Sequence, residues 1–415
     1  MTAATHAPLL QRTTAFPVVT AGLRIVDTPA AAILRVARRE GPIFRDAATS
    51  RTGISPASLN RHVVALVEAG LLRERADLAP PGAVGRPRLP FELRRDRHLT
   101  VGVHISYRTT TITTHDLHGR TLDGVRTATP HNSAAEALHA IGARARRFLH
   151  RWPDRRALWA GVTVGGRVDA DGTVEHPHLG WNAAAAGENI GAQLGLPISV
   201  APHVESMAAA ELAFGAATDP HDSTLYCYAN ETIGVALTIG GAVHNPRTGP
   251  STIGHLPAGP TRLLDPRGTG RLDDAVSNSG TLEAARACGI PANSTGALAA
   301  LAACGDELAR ALLHERARVL GRAIGHIADV VNPDRIVIGG RAFTEFPPTA
   351  HDVARSVAEN SAGPHRELDV TAAGDDVQQQ AAAAVSLDAI YADPLGSLRR
   401  AARPGERLAS VTWSP

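Results

Sequence analysis

The 415-residue chain contains no lysine; all 42 of its basic side chains are arginine. With its abundant alanine this fits a GC-rich coding sequence, and by itself it decides nothing about function. Cysteine is nearly absent too. Cys227, Cys288 and Cys304 are too few and too scattered for a disulfide framework or a four-ligand zinc site, and they read as small buried hydrophobes. No run of 18 apolar residues occurs, and the N-terminus carries no charged segment followed by an apolar stretch, so neither a membrane span nor an export signal is expected. These absences place the chain in the cytoplasm, with no membrane partner. What is present is 44% hydrophobic, enough for a large core, and the length predicts two or three domains.

Charge is balanced over the whole chain but not along it. Residues 1–95 hold fourteen Arg against seven acidic residues, or +7, while the chain as a whole is +2, which leaves −5 on the remainder. The N-terminal part is therefore the candidate nucleic-acid binder. Its pattern agrees. "AAAILRVARR" has helical apolar spacing after Thr28-Pro29, a cap and first-turn pair. Phe44 to Arg51 reads as a short helix ended by Gly53. "SPASLNRHVVALVEAG" reads as a further helix with Ser55 as cap, Pro56 at its first position, and Leu59, Val63, Leu66 and Val67 facing inward. A short glycine turn between two helices is the helix-turn-helix signature, which sends the N-terminal residues of the second helix into the major groove. Ser55, Ala57, Ser58, Asn60 and Arg61 are the residues placed near bases and phosphates, the Asn and Arg being capable of bidentate base contacts. Beyond them, "GLLRERADLAPPGAVGRPRLPFEL" has two apolar segments around a Pro/Gly-rich tip, as a winged hairpin would, with Arg86 and Arg88 flanking Pro87 for phosphates or a minor groove. The competing readings are a solvated linker loop for these arginines and a three-helix protein-interaction module for the helices.

From His98 onward strands alternate with helices, which predicts an α/β domain with mostly parallel or mixed sheets. The boundaries follow as a flexible segment at 1–27, a winged helix-turn-helix at 28–95, an effector and oligomerisation domain at 96–395, and a tail at 396–415. Within the α/β part, "APHVESMAAAELAFG" sets His203 and Glu205 in a short polar loop before a helix, the look of an active site.

Six segments occur in one order: "EAGLLRE" with "GRPRLPFEL", "VGVHISYRTTTITTHDLHGRTLD", "GVTVGGRVDADGTVEHPHLGW", "GLPISVAPHVESMAAAEL", "TIGHLPAGP" and "NPDRIVIGG". In that order, over residues 28 to about 390, the chain resembles the regulator branch of the ROK family (repressors, open reading frames and sugar kinases). The resemblance implies an α/β protein: a winged helix-turn-helix joined to a two-lobed actin-like (ribonuclease H-like) ATPase fold. It also implies where chemistry would reside, and there the residues differ. Family kinases carry an Asn-Asp pair whose Asp is the general base; here His203 and Val204 stand in that place, and valine accepts no proton. The family's first phosphate loop, Asp then Gly-Gly-Thr, reads His104, then Ser106, Tyr107 and Arg108. The second, Gly-Thr-Gly, reads Asn230-Glu231-Thr232, where a carboxylate would repel phosphate. The Gly-Gly turn at Ile338 to Gly340 persists. Of the family's zinc site His255 and Gly268 remain, but Asp265, Arg267 and Leu272 replace the cysteines. Asp274 replaces a glutamate there, and Thr252 replaces another before the Gly-His step.

The expectation is a non-enzymatic transcriptional regulator, a repressor of double-stranded DNA operators, without cofactor or metal, acting as a homodimer or homotetramer. Gly165, Gly166, Trp181, Asn182, His203, Glu205, His255 and Asp274 are the candidate effector-binding residues of its cleft, for a sugar, for another small molecule, or for no ligand. The alternative is an ATP-dependent sugar kinase with an accessory N-terminal domain.

Overall fold

A computed structural model describes residues 17–79, 88–215, 222–246, 249–363 and 366–402. The described part opens with a short strand, β1 (Val18–Thr20), followed by α1 (Pro29–Glu40), α2 (Arg45–Thr52) and α3 (Pro56–Glu68). Pro29 and Pro56 occupy first-turn positions, where the missing N–H costs nothing and the fixed φ favours helix. The α2–α3 turn depends on Gly53, whose φ of 68° lets its N–H cap Thr49 O, a geometry that costs other residues strain. Strands β2 (Leu72–Glu74) and β3 (Phe91–Leu93) then pair antiparallel, and Ile43 bridges Phe91 on the other side. Three helices and a two-stranded hairpin make a winged helix-turn-helix.

The first lobe opens with a meander, β4 (His98–Ile105), β5 (Thr109–His115) and β6 (Thr121–Ala128). Helix α4 (Ala134–Leu149), started by a Ser133/Glu136 capping box, crosses back so that β7 (Arg156–Val164) lies parallel to β4. A small sheet, β8 (Arg167–Val168), β9 (Val174–His176) and β10 (Trp181–Ala184), precedes α5 (Ala186–Leu194) and β11 (Ile198–Pro202). The lobe's six strands run in the order β1-β11-β7-β4-β5-β6.

Helix α6 (His203–Phe214) leads to the second lobe, with β12 (Thr224–Ala229), β13 (Ile233–Ile239), β14 (Ala242–Val243) and β15 (Ser251–Thr252). Four helices follow: α7 (Leu272–Val276), α8 (Asn278–Ala287), α9 (Thr295–Ala303) and the long α10 (Glu307–Val331). Strand β16 (Arg335–Gly339), α11 (Arg341–Thr344), α12 (Ala350–Glu359) and β17 (Glu367–Val370) complete a sheet ordered β14-β13-β12-β16-β17. Helix α13 (Val377–Ala392) returns to pack on α6 and on β4 and β7, and α14 (Pro394–Arg400) ends against α1.

Three expectations change. The segment at 1–27 is not free from residue 17 on. Val18 to Thr20 pair in parallel with Ile198 to Val200, and Ala21 and Leu23 are buried. Gly22 donates its N–H to Asp388 of α13 at 2.8 Å, while the second lobe takes up Leu23 O from Val243 N and Ile25 N through Gly241 O. β-Branched residues beside the open edge of β11 form a strand because its unpaired backbone groups offer partners. The α/β body does not stop at 395, because α14 buries Ser397 and Leu398. Of the cysteines only Cys227 is buried; Cys288 and Cys304 follow the ends of α8 and α9, half-buried and exposed. No helix among the described residues is long and apolar enough to cross a membrane.

The N-terminal helical domain is not tethered by a linker. Ile33, Leu34, Leu59, Leu66 and Phe91 share one continuous core with Leu158, Trp159, Leu387 and Leu398 of the α/β body.

Candidate DNA-reading surface and interlobe site

Helix α3 buries Leu59, Val63 and Leu66 and turns its first residues outward: Ser55, Ala57, Asn60 and Arg61 are exposed and Ser58 partly so. The inward stripe fixes the helix, and the outward face carries hydrogen-bonding groups and no acidic residue in its first turn. The wing's base is stapled by charge. Glu92 accepts from Arg73 and Arg75, and Arg45 of α2 donates to Leu89 O at 3.0 Å. Arg88, at the wing's exit, lies 3.4 Å from Asp46 with both side chains exposed, a weak pair that a phosphate can displace. Arg86 lies outside the described residues.

The second site forms where strands of the first lobe end against β12 of the second. His104 ends towards it from β4, Gly165 and Gly166 follow β7, and His203 opens α6 after β11. The His104 and His203 rings stack at 6.0 Å with 4° between planes, and His203 meets Tyr228 of β12 at 5.7 Å. A side chain on Gly165 would strike His176 Nε2, and Gly166 adopts a φ of 95° with no room beside Glu175 O. His176 in turn meets Trp181 at 6.3 Å and His178 at 6.1 Å, and Tyr107 reaches His178 and His131 at the exposed rim.

Burial leaves this cluster uncharged. It pushes His104 down to about 3, with His203 adding repulsion, and His203 down to about 4, with His176 adding. His176 is lowered for the same first reason. Both ring nitrogens of His104, Nδ1 of His203 and of His176, and Nε1 of Trp181 are buried without a partner. Glu205, in the same turn as His203, is also buried with Oε2 unpartnered, and burial raises it to about 7. Buried donors and acceptors left open are costly, so such a concentration marks a place for a ligand or for ordered water.

The ROK family model matches residues 100–387 of the chain. The chain belongs to the ROK family. It is similar to the transcriptional regulator Rv0485 of Mycobacterium tuberculosis H37Rv, at 47% identity over 93% of this chain and 91% of that protein. It is also similar to the DNA-binding transcriptional dual regulator NagC of Escherichia coli K12, at 26% identity over 75% of this chain and 79% of that one. The crystal structure of a ROK family transcriptional regulator, a homologue of the E. coli MLC protein, superposes with a TM-score of 0.73 at 22% identity, covering 90% and 98% of the two chains. The fold is the two-lobed actin-like one of that family.

Within the ROK frame the departures acquire geometry. Val204 is buried and packs on Gly234 of β13, an apolar contact where the family's base would stand. The first phosphate loop is a tight turn locked by Ser106 onto Thr109 O and by Thr129 onto Ser106 O, with Tyr107 at its tip. The second is tied shut by Asn278, which donates to Asn230 from side chain and backbone, and Asn278 is held in turn by the buried Arg316. Gly339 and Gly340 serve packing, their faces closed by Tyr226 and by Ala229 O.

The zinc positions do not fit zinc. Asp265 accepts from Thr269 and Gly270 of its own loop, and Arg267 pairs with Asp274 and Glu283. A salt-bridged loop thus does the holding that a metal would do, and no group of three or more His, Cys, Asp or Glu suited to a metal exists among the described residues. Two effector candidates stand in or beside this loop. Asp274 is committed to Arg267 and Thr269, and His255 is exposed on the adjoining segment. Asn182 is exposed on β10, beside the buried Trp181. The structure gathers Gly165, Trp181 and His203, and adds His104, His176, His178, Tyr107 and Tyr228. Of these additions the sequence marks His104 and Tyr107 as loop positions and carries His176 and His178 in the histidine-rich "EHPHLGW", while nothing in it marks Tyr228.

Proposed function

We propose that this chain is a transcriptional regulator that reads operator DNA through α3 and its wing, and whose interlobe site binds an uncharged, hydroxyl-bearing small molecule instead of transferring phosphate. One observation carries the reading: the exposed polar start of α3, free of acidic side chains, is held in a core shared with the kinase-like body, in which Val204 is buried. Asn60 and Arg61 are suited to base edges, Ser55 and Ser58 to phosphates, and the wing arginines to the flanking backbone. Neutral imidazoles flanked by Trp181 and Tyr228 offer both donors and acceptors beside aromatic faces, a chemistry that suits a hydroxyl-rich ring such as a sugar. Ligand binding there alters the angle between lobes. The shared core carries that change to α3, and in a two-fold dimer the spacing of the paired helices shifts.

Binding of fluorescent DNA from upstream of the chain's own gene, titrated across salt and with a panel of sugars and sugar phosphates, tests this. Sequence-dependent affinity altered by one compound supports it. Hexose-dependent ATP turnover above that of heat-killed protein would overturn it in favour of a kinase.

A further inference from the structure

A second cavity lies away from the interlobe site, where the N-terminal segment, α1 of the DNA-reading domain, α6 and α13 meet. It is a half-open slot with room for water-sized groups over about 70 Å³, and it continues into open solvent. Its floor is apolar, from Leu23, Ile25, Leu212, Phe214 and Leu387. Its walls carry four arginines, Arg24, Arg35, Arg38 and Arg39.

The arginines divide into two kinds. Arg38 is structural: its guanidinium lies 4.9 Å from the Phe214 ring and 5.0 Å from that of Tyr391, and it donates to Ala213 O. Arg35 is bound to Asp27 and Val26 O. Arg24 and Arg39 are exposed and have no ion pair among the described residues. The acidic side chain of the lining, Asp388, accepts from the backbone N–H of Gly22 and also faces the charge of Arg24, and Asp27, outside the lining, holds Arg35. The slot thus combines an apolar lining with a mouth whose four arginines outnumber the two carboxylates beside them, Asp388 and Asp27, and that lining offers a sugar ring few hydrogen-bonding partners.

We propose that this slot binds an amphipathic organic anion, an unbranched alkyl carboxylate whose head pairs with Arg24 and Arg39 and whose chain lies along Leu23, Leu212 and Leu387. A carboxylate between two guanidiniums gains charge-assisted hydrogen bonds, and each methylene placed in the channel adds hydrophobic free energy. The occupant touches the DNA-reading domain and the lobe helices at once, so it reports on the junction and not on the interlobe site.

The test is calorimetric titration of the full chain at low salt with hexanoate, octanoate, decanoate and 1-decanol, all below their aggregation limits. Saturable one-to-one binding is expected, tightening about three- to fourfold per methylene, with the alcohol at least tenfold weaker than decanoate. The variant R24A/R39A, altered at exposed positions and checked for an unchanged unfolding midpoint, loses about tenfold for decanoate and nothing for decanol. A second variant, Leu212→Gln, weakens both. Absence of saturable decanoate binding up to millimolar concentration overturns the proposal, as does binding that R24A/R39A leaves intact, which would be detergent-like adsorption. Neither result bears on operator binding or on the interlobe site.

Discussion

His115 illustrates how burial writes itself into pH dependence. It lies wholly inside the first lobe against Gly102, both ring nitrogens lack partners, and burial pushes it down to about 3. A depressed folded-state value means that the unfolded chain takes up the proton first. The stability it supports is full above about pH 6.5 and drains away as pH falls towards the folded value. His104 and His203 act in the same direction, while Glu205, raised to about 7, acts in the other: its share is full below the normal carboxylate range and lost as pH rises through 7. His115→Leu should therefore flatten the acid limb of a urea-midpoint profile by roughly 2–3 kcal/mol between pH 6.5 and 4.5; a limb as steep as that of the parent would refute this account of the residue. Val204→Asp is the corresponding test of the proposed absence of catalysis. The new carboxylate would be buried against Gly234, at a cost of about 2–4 kcal/mol, and Tyr107 and the Asn230–Asn278 tie would still block phosphate, so no hexose-dependent ATP turnover is expected. At this scale the family resemblance pointed to His203 and Val204 where a catalytic pair is expected. It did not tell that His104, His203 and His176 meet, because their contacts join three strand ends that are distant in the chain.

Elements were legible where amphipathic period and punctuation coincide. Thr28-Pro29, Gly53 and Ser55-Pro56 marked α1, α2 and α3 nearly to the residue, and the apolar stripe of α3 left Asn60 and Arg61 facing out. Helix α13 was not legible. Its "QQQAAAAVSLDAI" is apolar almost all round, because α6 lies on one side of it and β4 and β7 on another, and a helix buried on every face has no stripe to read. The strand at Val18 to Thr20 was missed for a related reason: three residues have no period, and only the edge of β11 makes them a strand. For α3 and the wing, Asn60→Ala should reduce discrimination between operator and random DNA by about 1–3 kcal/mol while leaving the affinity for random DNA unchanged. Arg88→Ala should weaken both alike and lower the slope of log affinity against log salt by about 1. Parallel anisotropy titrations separate the two patterns, and a wing variant with an unaltered slope would show that Arg88 stays with Asp46.

As a whole molecule, the chain differs from two beads on a linker. The core that holds Ile33 and Leu59 continues through Trp159 and Leu398, and Leu23 is buried in a segment that touches both lobes. Leu398→Ala should cost about 2–5 kcal/mol and displace a single transition seen alike by far-ultraviolet dichroism and by tryptophan fluorescence. Two separated transitions would mean that the DNA-reading domain is energetically independent. Domain boundaries drawn from composition could not foresee this, since they follow changes of pattern and not shared packing.

The central claim is that the exposed start of α3 reads DNA. Footprinting of the full chain and of Asn60→Ala on DNA from upstream of its own gene tests it most directly. The account predicts protection of a pseudo-palindrome with half-sites about one or two helical turns apart, lost in the variant at equal protein concentration. No sequence-specific protection by the parent chain at any salt, or identical protection by the variant, would contradict it.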